Sequence, residues 1–303
     1  MNNQEEERRR NRMEKTEYIV ADPSGNITVL VLSPVDEKLR GETARRLMEE
    51  VDGAEQVGYL LSPKDEKAVI RLEMAGGEFC GNASLSTAAY YAGKNGIKTG
   101  ETKVITIEVS GANRPVDCSI TGIGDNLFRG SLNMPLPERI SEKTLYLEGE
   151  AFTLPVVEMP GITHIIFQIK KREDEVIFET SESGKGEKER TVSPPHSKIW
   201  EKAVKKWAED LGTDAAGILF LDRETMEMTP LVYVEVPGSI CYENGCGSGT
   251  AAAGAWLASM TEEKITGADI KQPGGVISVK AEKKGKKLNN LEISGNITFR
   301  NAL

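Results

Sequence analysis

Histidine and cysteine are scarce in this chain. Among 303 residues there are two histidines, His164 and His196, and four cysteines, with no Cys-x-x-Cys pair. A zinc site built from these residue types is therefore not expected, since zinc is held mainly by histidine and cysteine. The chain also lacks a P-loop and a Gly-x-Gly-x-x-Gly turn between a strand and a helix, the common cradles for nucleotides and dinucleotides. Neither a metal nor an organic cofactor is called for. No apolar run approaches the ~20 residues of a membrane span. The formal net charge of −9 opposes nucleic acid or an anionic membrane surface as a partner. Met1–Met13 (MNNQEEERRRNRM) has no hydrophobic stretch and reads as a disordered or artificial extension rather than a signal peptide. Cysteines without a secretory signal are expected as free thiols in a reducing compartment, the cytoplasm. What remains is a protein acting on a small molecule, with a homodimer left open.

What the chain does have is a repeat. Cys80-Gly81-Asn82-Ala83-Ser84 and Cys246-Gly247-Ser248-Gly249-Thr250 each follow a short apolar run and each open an alanine-rich stretch with helical character. The repeat extends outward. Pro23-Ser24-Gly25-Asn26 leads into a β-branched run, Ile27–Leu32, as Pro160-Gly161-Ile162-Thr163-His164 leads into Ile165–Ile169. A helix is expected next in each half, over Glu42–Val51 and over Lys198–Leu211, the latter with Ser197 as N-cap. Val104–Val109 parallels Ile277–Ala281. The Pro-rich crossing Asn133–Pro137 marks the boundary. It gives an N-terminal domain over 14–133 carrying Cys80 and a C-terminal domain over 134–290 carrying Cys246. The alternating segment Leu291–Ile297 within 291–303 returns to complete the first. Glu179–Pro195 is charged and reads as a solvent-exposed loop, with His196 on the surface beside it.

A thiol has an unperturbed pKa of ~8.5, and a helix N-terminus lowers it. Cys80 and Cys246 are thus candidate thiolates, with Gly- and Ser-rich first turns whose N–H groups suit a carboxylate. One thiolate removing an α-proton while the other thiol delivers a proton to the opposite face inverts an α-carbon. Cys118, in a strand-like segment, and Cys241, without a helix start, are expected to be packing residues. A small-molecule-binding protein or a redox-sensing thiol pair is the alternative from another class.

These segments, with Glu55-Gln56-Val57-Gly58-Tyr59 and Gln272-Pro273-Gly274-Gly275, resemble the cofactor-independent two-cysteine amino-acid racemases typified by diaminopimelate epimerase. They are most similar to the histidine racemases of staphylopine-type opine metallophore synthesis. The resemblance implies an α/β (α+β) fold of two pseudo-symmetric domains, each a mostly antiparallel, barrel-like sheet around a central helix. It implies an isomerase independent of pyridoxal phosphate, with Cys80 and Cys246 as the acid–base pair. Gly81, Asn82, Gly247, Ser248 and Thr250 would hold the substrate carboxylate, and Asn26, Glu55, Gln56, His164 and Glu243 would contact substrate. Histidine is the expected substrate, with diaminopimelate or another amino acid as the alternative. Ile162 and Ile218 stand where the epimerase places asparagines, giving apolar walls that disfavour diaminopimelate.

Overall fold

The β-branched run after Asn26 forms β2 (Thr28–Val31), buried along its whole length. It pairs antiparallel with β1 (Tyr18–Pro23) and parallel with β3 (Gln56–Leu61). A computed structural model describes residues 16–172, 175–182, 185–235 and 238–303. The extension Met1–Met13 lies outside them. The described chain divides into two compact units, one running to Leu132 and resumed at Gly295–Leu303, the other Asn133–Ser294.

In the first unit β3 pairs antiparallel with β4 (Ile70–Met74), β4 parallel with β5 (Thr102–Val109), and β5 antiparallel with β6 (Val116–Gly124). Next to β6 lies β7 (Leu127–Asn133), also antiparallel. Strand β18 (Lys287–Phe299) closes the ring: it pairs with β7, and its end runs antiparallel to β1, with Ala21 opposite Phe299 and Pro23 opposite Ile297. Helix α1 (Glu37–Glu50) joins β2 to β3 on the outside, packing Ala44 and Leu47 on Val29, Val31 and Tyr59. It begins before the expected Glu42 because Asp36 caps it, accepting from Lys38 N at 3.0 Å. Helix α2 (Gly81–Lys94), which follows Cys80, is buried on all sides from Gly81 to Ala89. Its small residues explain why a helix fits inside a ring of strands.

The second unit repeats this pairing order. Strand β8 (Arg139–Leu147) pairs antiparallel with β9 (Glu150–Met159), and β9 with β10 (Ile162–Arg172). The sheet continues parallel to β13 (Ala215–Asp222), antiparallel to β14 (Glu227–Val234), parallel to β16 (Ile265–Gln272) and antiparallel to β17 (Gly275–Lys284). From β9 to β17 the succession antiparallel, parallel, antiparallel, parallel, antiparallel is that of β1 to β6. Helix α3 (Lys198–Leu211) covers the outside, as α1 does. It buries Trp200 and Trp207 among Phe152, Phe167, Phe178 and Phe220 and ends at Gly212 in the left-handed region, φ 67°. Helix α4 (Gly247–Ser259) follows Cys246 and is buried at all residues except Ser248 and Ser259. The chain is thus an α/β protein, mostly strands with few helices, whose two halves carry one cysteine helix each.

Ser197 is the N-cap of α3 as read from sequence, although its Oγ donates to Pro194 O at 2.7 Å rather than to the first turn. Two expectations fail here. The charged segment expected as a loop runs as backbone in a hairpin, β11 (Glu175–Glu182) with β12 (Lys185–Val192), added antiparallel to the end of β10. Pairing with a neighbouring edge sets strand state there, against composition. Cys241, expected in the packing, lies exposed in β15 (Ser239–Tyr242), a short strand on β14. Cys118 is fully buried in β6, and His196 is exposed, both as read from sequence. Among the described residues no helix is long and apolar enough to cross a membrane.

Candidate active site

Both cysteines are N-caps, and both sulfurs accept a hydrogen bond from the N–H three residues on. The distance is 3.4 Å from Ala83 N to Cys80 Sγ and 3.3 Å from Gly249 N to Cys246 Sγ. In each helix the residue four positions on ties the cap's carbonyl: Ser84 Oγ donates to Cys80 O at 2.6 Å, Thr250 Oγ1 to Cys246 O at 2.7 Å. The repeat seen in sequence is therefore a repeat of geometry at the sulfur.

Around Cys80 the polar groups form a directed chain. The thiol donates to Gln56 Oε1 at 3.1 Å. Gln56 Nε2 donates to Asn26 Oδ1 at 2.5 Å and to Thr28 Oγ1 at 2.7 Å. Asn26 Nδ2 donates to Glu55 Oε2 at 2.6 Å. A carboxylate only accepts, so Glu55 fixes the orientation of both amides and leaves an acceptor facing the thiol. Asn26 follows Ser24 and Gly25, both at positive φ (55° and 95°), a turn held by Asp22 Oδ1 accepting from Gly25 N at 2.6 Å. The structure thus joins four of the expected site residues, Asn26, Glu55, Gln56 and Cys80, and adds Thr28. Replacing Gln56 by Leu leaves Asn26 and Thr28 short of a donor and Cys80 short of an acceptor. The expected result is a stability loss of about 1–3 kcal/mol by urea unfolding.

Around Cys246 the partners differ. His164 Nε2 lies 3.0 Å from Ser248 Oγ, which lies 3.6 Å from Cys246 Sγ. His164 is fully buried, and burial pushes its pKa down to about 3, so the ring is neutral. Its Nδ1 has no hydrogen-bond partner among the described residues. A buried bare acceptor costs less than a buried bare N–H, which places the proton on Nε2. His164 then donates to Ser248, and the Ser248 hydroxyl is turned toward the sulfur.

Register explains the difference between the halves. Thr28 pairs with Gln56 across β2 and β3; His164 pairs with Gly217 across β10 and β13. A large side chain opposite glycine in one unit replaces a small one opposite glutamine in the other. A Cβ on Gly217 would stand 2.5 Å from His164 Nδ1. Gly217→Ala is expected to cost about 1–3 kcal/mol and to displace His164 from Ser248. Ile218 corrects a sequence expectation. It belongs to the aromatic cluster under α3, on the face of β13 opposite Gly217, and so does not wall the site. Ile218→Val should accordingly lower the unfolding midpoint without changing turnover, whereas Gly217→Ala should change both.

Cys246 also departs from the thiolate expectation. Burial first, then the charge and hydrogen bond of the Glu243 carboxylate, raise its thiol well above the ordinary value; the Ser248 and Gly249 hydrogen bonds oppose them. The helix N-terminus is outweighed, and Cys246 rests as the thiol. Glu243 thus stands against the sulfur. Gly247 and Ser248 open α4 as Gly81 and Asn82 open α2, whereas Thr250 uses both its N–H and its hydroxyl on Cys246 O.

Gln272, absent from the residues expected at the site, touches the N-cap that bears the sulfur: Cys246 N donates to its Oε1 at 2.7 Å. The signal was present in β16, where Thr266, Ala268, Ile270 and Gln272 share the inward phase. An amide ending an inward row must find buried partners. Among the described residues no group of three or more His, Cys, Asp or Glu is placed to hold a metal.

The family model described as "Histidine racemase CntK N-terminal domain" matches residues 15–301. A histidine racemase of Fusobacterium nucleatum is 32% identical over 262 residues, covering 86% of this chain and 86% of its own length. One of Staphylococcus aureus is 26% identical over 286 residues, covering 93% and 94%. Among solved structures, a PhzF-family phenazine biosynthesis protein of Bacillus anthracis has a TM-score of 0.61 at 16% identity, covering 95% of this chain and 97% of that one. A probable proline racemase of Agrobacterium radiobacter has a TM-score of 0.58 at 13% identity, covering 95% and 93%.

Proposed function

The chain belongs to the histidine racemase family and is a racemase, and on that premise we propose that it interconverts L- and D-histidine by a two-cysteine mechanism without pyridoxal phosphate. The observation that carries the mechanism is the pair of cysteine N-caps at equivalent places in a structural repeat. One sulfur, as thiolate, takes the α-proton and becomes a thiol. The other, as thiol, gives its proton to the opposite face of the α-carbon and becomes a thiolate. One Cα–H and one S–H bond break, one S–H and one Cα–H bond form, and the two sulfurs end with their protonation exchanged. Cys246, protonated at rest, suits the donating role in the first turnover, with Ser248 placed to hydrogen-bond the thiolate it leaves.

The substrate carboxylate is held at the helix openings of Gly81, Asn82, Gly247 and Ser248, where the dipole and N–H groups stabilise the charge that builds as the α-proton leaves. Glu55 and Glu243 are the carboxylates available to the substrate ammonium, with Asn26 and Gln56 alongside. His164 acts through Ser248. That the similar proteins of Fusobacterium nucleatum and Staphylococcus aureus are histidine racemases supports histidine as substrate. D-histidine made this way would feed an opine-type metallophore in the cytoplasm. The test is chiral chromatography of a panel containing L-histidine, diaminopimelate, proline and other amino acids, with no pyridoxal phosphate added. D-histidine is expected as the main product. Inversion of a different amino acid would replace the substrate, and inversion of none would overturn the proposal.

A further inference from the structure

Gln272 closes a ring of hydrogen bonds around the backbone of Cys246. Its Oε1 accepts from Cys246 N at 2.7 Å, and its Nε2 donates to Thr250 Oγ1 at 2.8 Å. Thr250 Oγ1 donates in turn to Cys246 O at 2.7 Å. Both peptide groups flanking the Cys246 Cα are thereby tied to one side chain at the end of β16 and one on α4. Gln272 is 8% exposed and Thr250 fully buried, so no solvent replaces these bonds. The orientation of the amide is forced, because Cys246 N can only donate. The bond to Cys246 N comes from a residue distant in sequence and ties α4 to β16 at the residue that bears the sulfur.

From this ring we infer that Gln272 is a positioning residue for the Cys246 thiol. It fixes the backbone of the N-cap, at φ −106° and ψ 105°, so that Sγ stays on Gly249 N and beside Ser248 Oγ. The inference rests on the two-cysteine reading above. Cys80 is held differently, by an amide acting on its sulfur, so loss of Gln272 disables one hand and leaves the other.

The experiment uses the full chain with Gln272→Met, which keeps length and removes both polar ends. A misplaced acid or base costs on the order of 10²-fold, so kcat for inversion is expected to fall by about that factor while KM moves by less than about threefold. In D₂O, deuterium should still enter one enantiomer without inversion, because the hand belonging to Cys80 still works. A merely structural role would not produce that asymmetry. A folded Gln272→Met variant that inverts histidine within about threefold of the parent kcat overturns the inference.

Gln272→Glu, which keeps the acceptor for Cys246 N–H, covers the case in which Gln272→Met does not fold. It is expected to retain more turnover than the methionine variant and to displace the pH–rate profile upward, since its charge disfavours the nearby thiolate. A profile superimposable on the parent's contradicts the inference. Cys246→Ser is measured in parallel. Continued racemisation in that variant defeats the two-cysteine reading itself. Its loss beside an unaffected Gln272→Met defeats only the role of Gln272.

Discussion

Cys80→Ser and Cys246→Ser should each reduce racemisation by about 10³-fold while leaving the fold intact. Proton transfer by a positioned side chain is worth ~10²–10⁴-fold, and a serine hydroxyl at the same place neither ionises nor yields its proton at the required pH. The two variants should not be equivalent. Cys80 sits at the end of a chain anchored on Glu55, half exposed, whereas Cys246 is buried against Glu243 and rests protonated. Each variant should therefore keep slow hydrogen exchange at the α-carbon of one enantiomer, and the favoured enantiomer should differ between them. The fold should survive because serine occupies less space and accepts the same N–H bond at both caps. Steady-state kinetics in both directions, with circular dichroism of each variant, checks this. Parental racemisation by either variant would remove the second hand from the mechanism.

The second large effect is on stability in acid. Burial holds His164 at about 3 where its ordinary value is 6.5. Below pH 6.5 the unfolded chain binds a proton that the folded protein refuses until pH 3. The unfolded state thus binds more protons, and stability falls as pH falls across that window. At ~1.36 kcal/mol per pH unit the full loss across that window is about 5 kcal/mol, a large share of a protein's ordinary stability. Urea unfolding from pH 7 to pH 4 should show about 3 kcal/mol of this loss, superimposed on that of the carboxylates. His164→Gln should flatten the slope by about one proton, whatever its absolute stability. Identical slopes in parent and variant would show that His164 is charged in the folded protein. The same burial serves the site: a neutral ring with its proton on Nε2 donates toward Ser248, and a charged ring would have to leave the pocket that Gly217 opens.

Much of this site was legible in the sequence because it is built on helix starts. A cysteine before a Gly- or Ser-rich turn and an alanine-rich run specifies an N-cap sulfur, and Cys80 and Cys246 are both found there. Asn26 and Gln56 came from the family resemblance, and strand register brings them together at the sulfur. What the sequence hid was compensation across strands. Nothing local to His164 indicates that its room comes from Gly217, far along the chain, or that Gln56 and Thr28 fill the equivalent volume in the other half. Ile218 entered the site reading only through its match to an asparagine of the epimerase; one residue of register separates a wall of the site from the core beneath α3. The thiol state of Cys246 depends first on burial, which is tertiary, and then on the neighbouring Glu243, and together they outweigh the helix dipole. The β11–β12 hairpin likewise depends on pairing to β10, against a composition suited to a loop.

The most direct test of the account is proton NMR of L-histidine in D₂O with the reduced, pyridoxal-phosphate-free protein. If Cys80 and Cys246 invert the α-carbon of histidine, the Cα–H signal disappears and D-histidine accumulates toward an equal share. An undiminished Cα–H signal, with both thiols confirmed reduced and the chain folded, would contradict it.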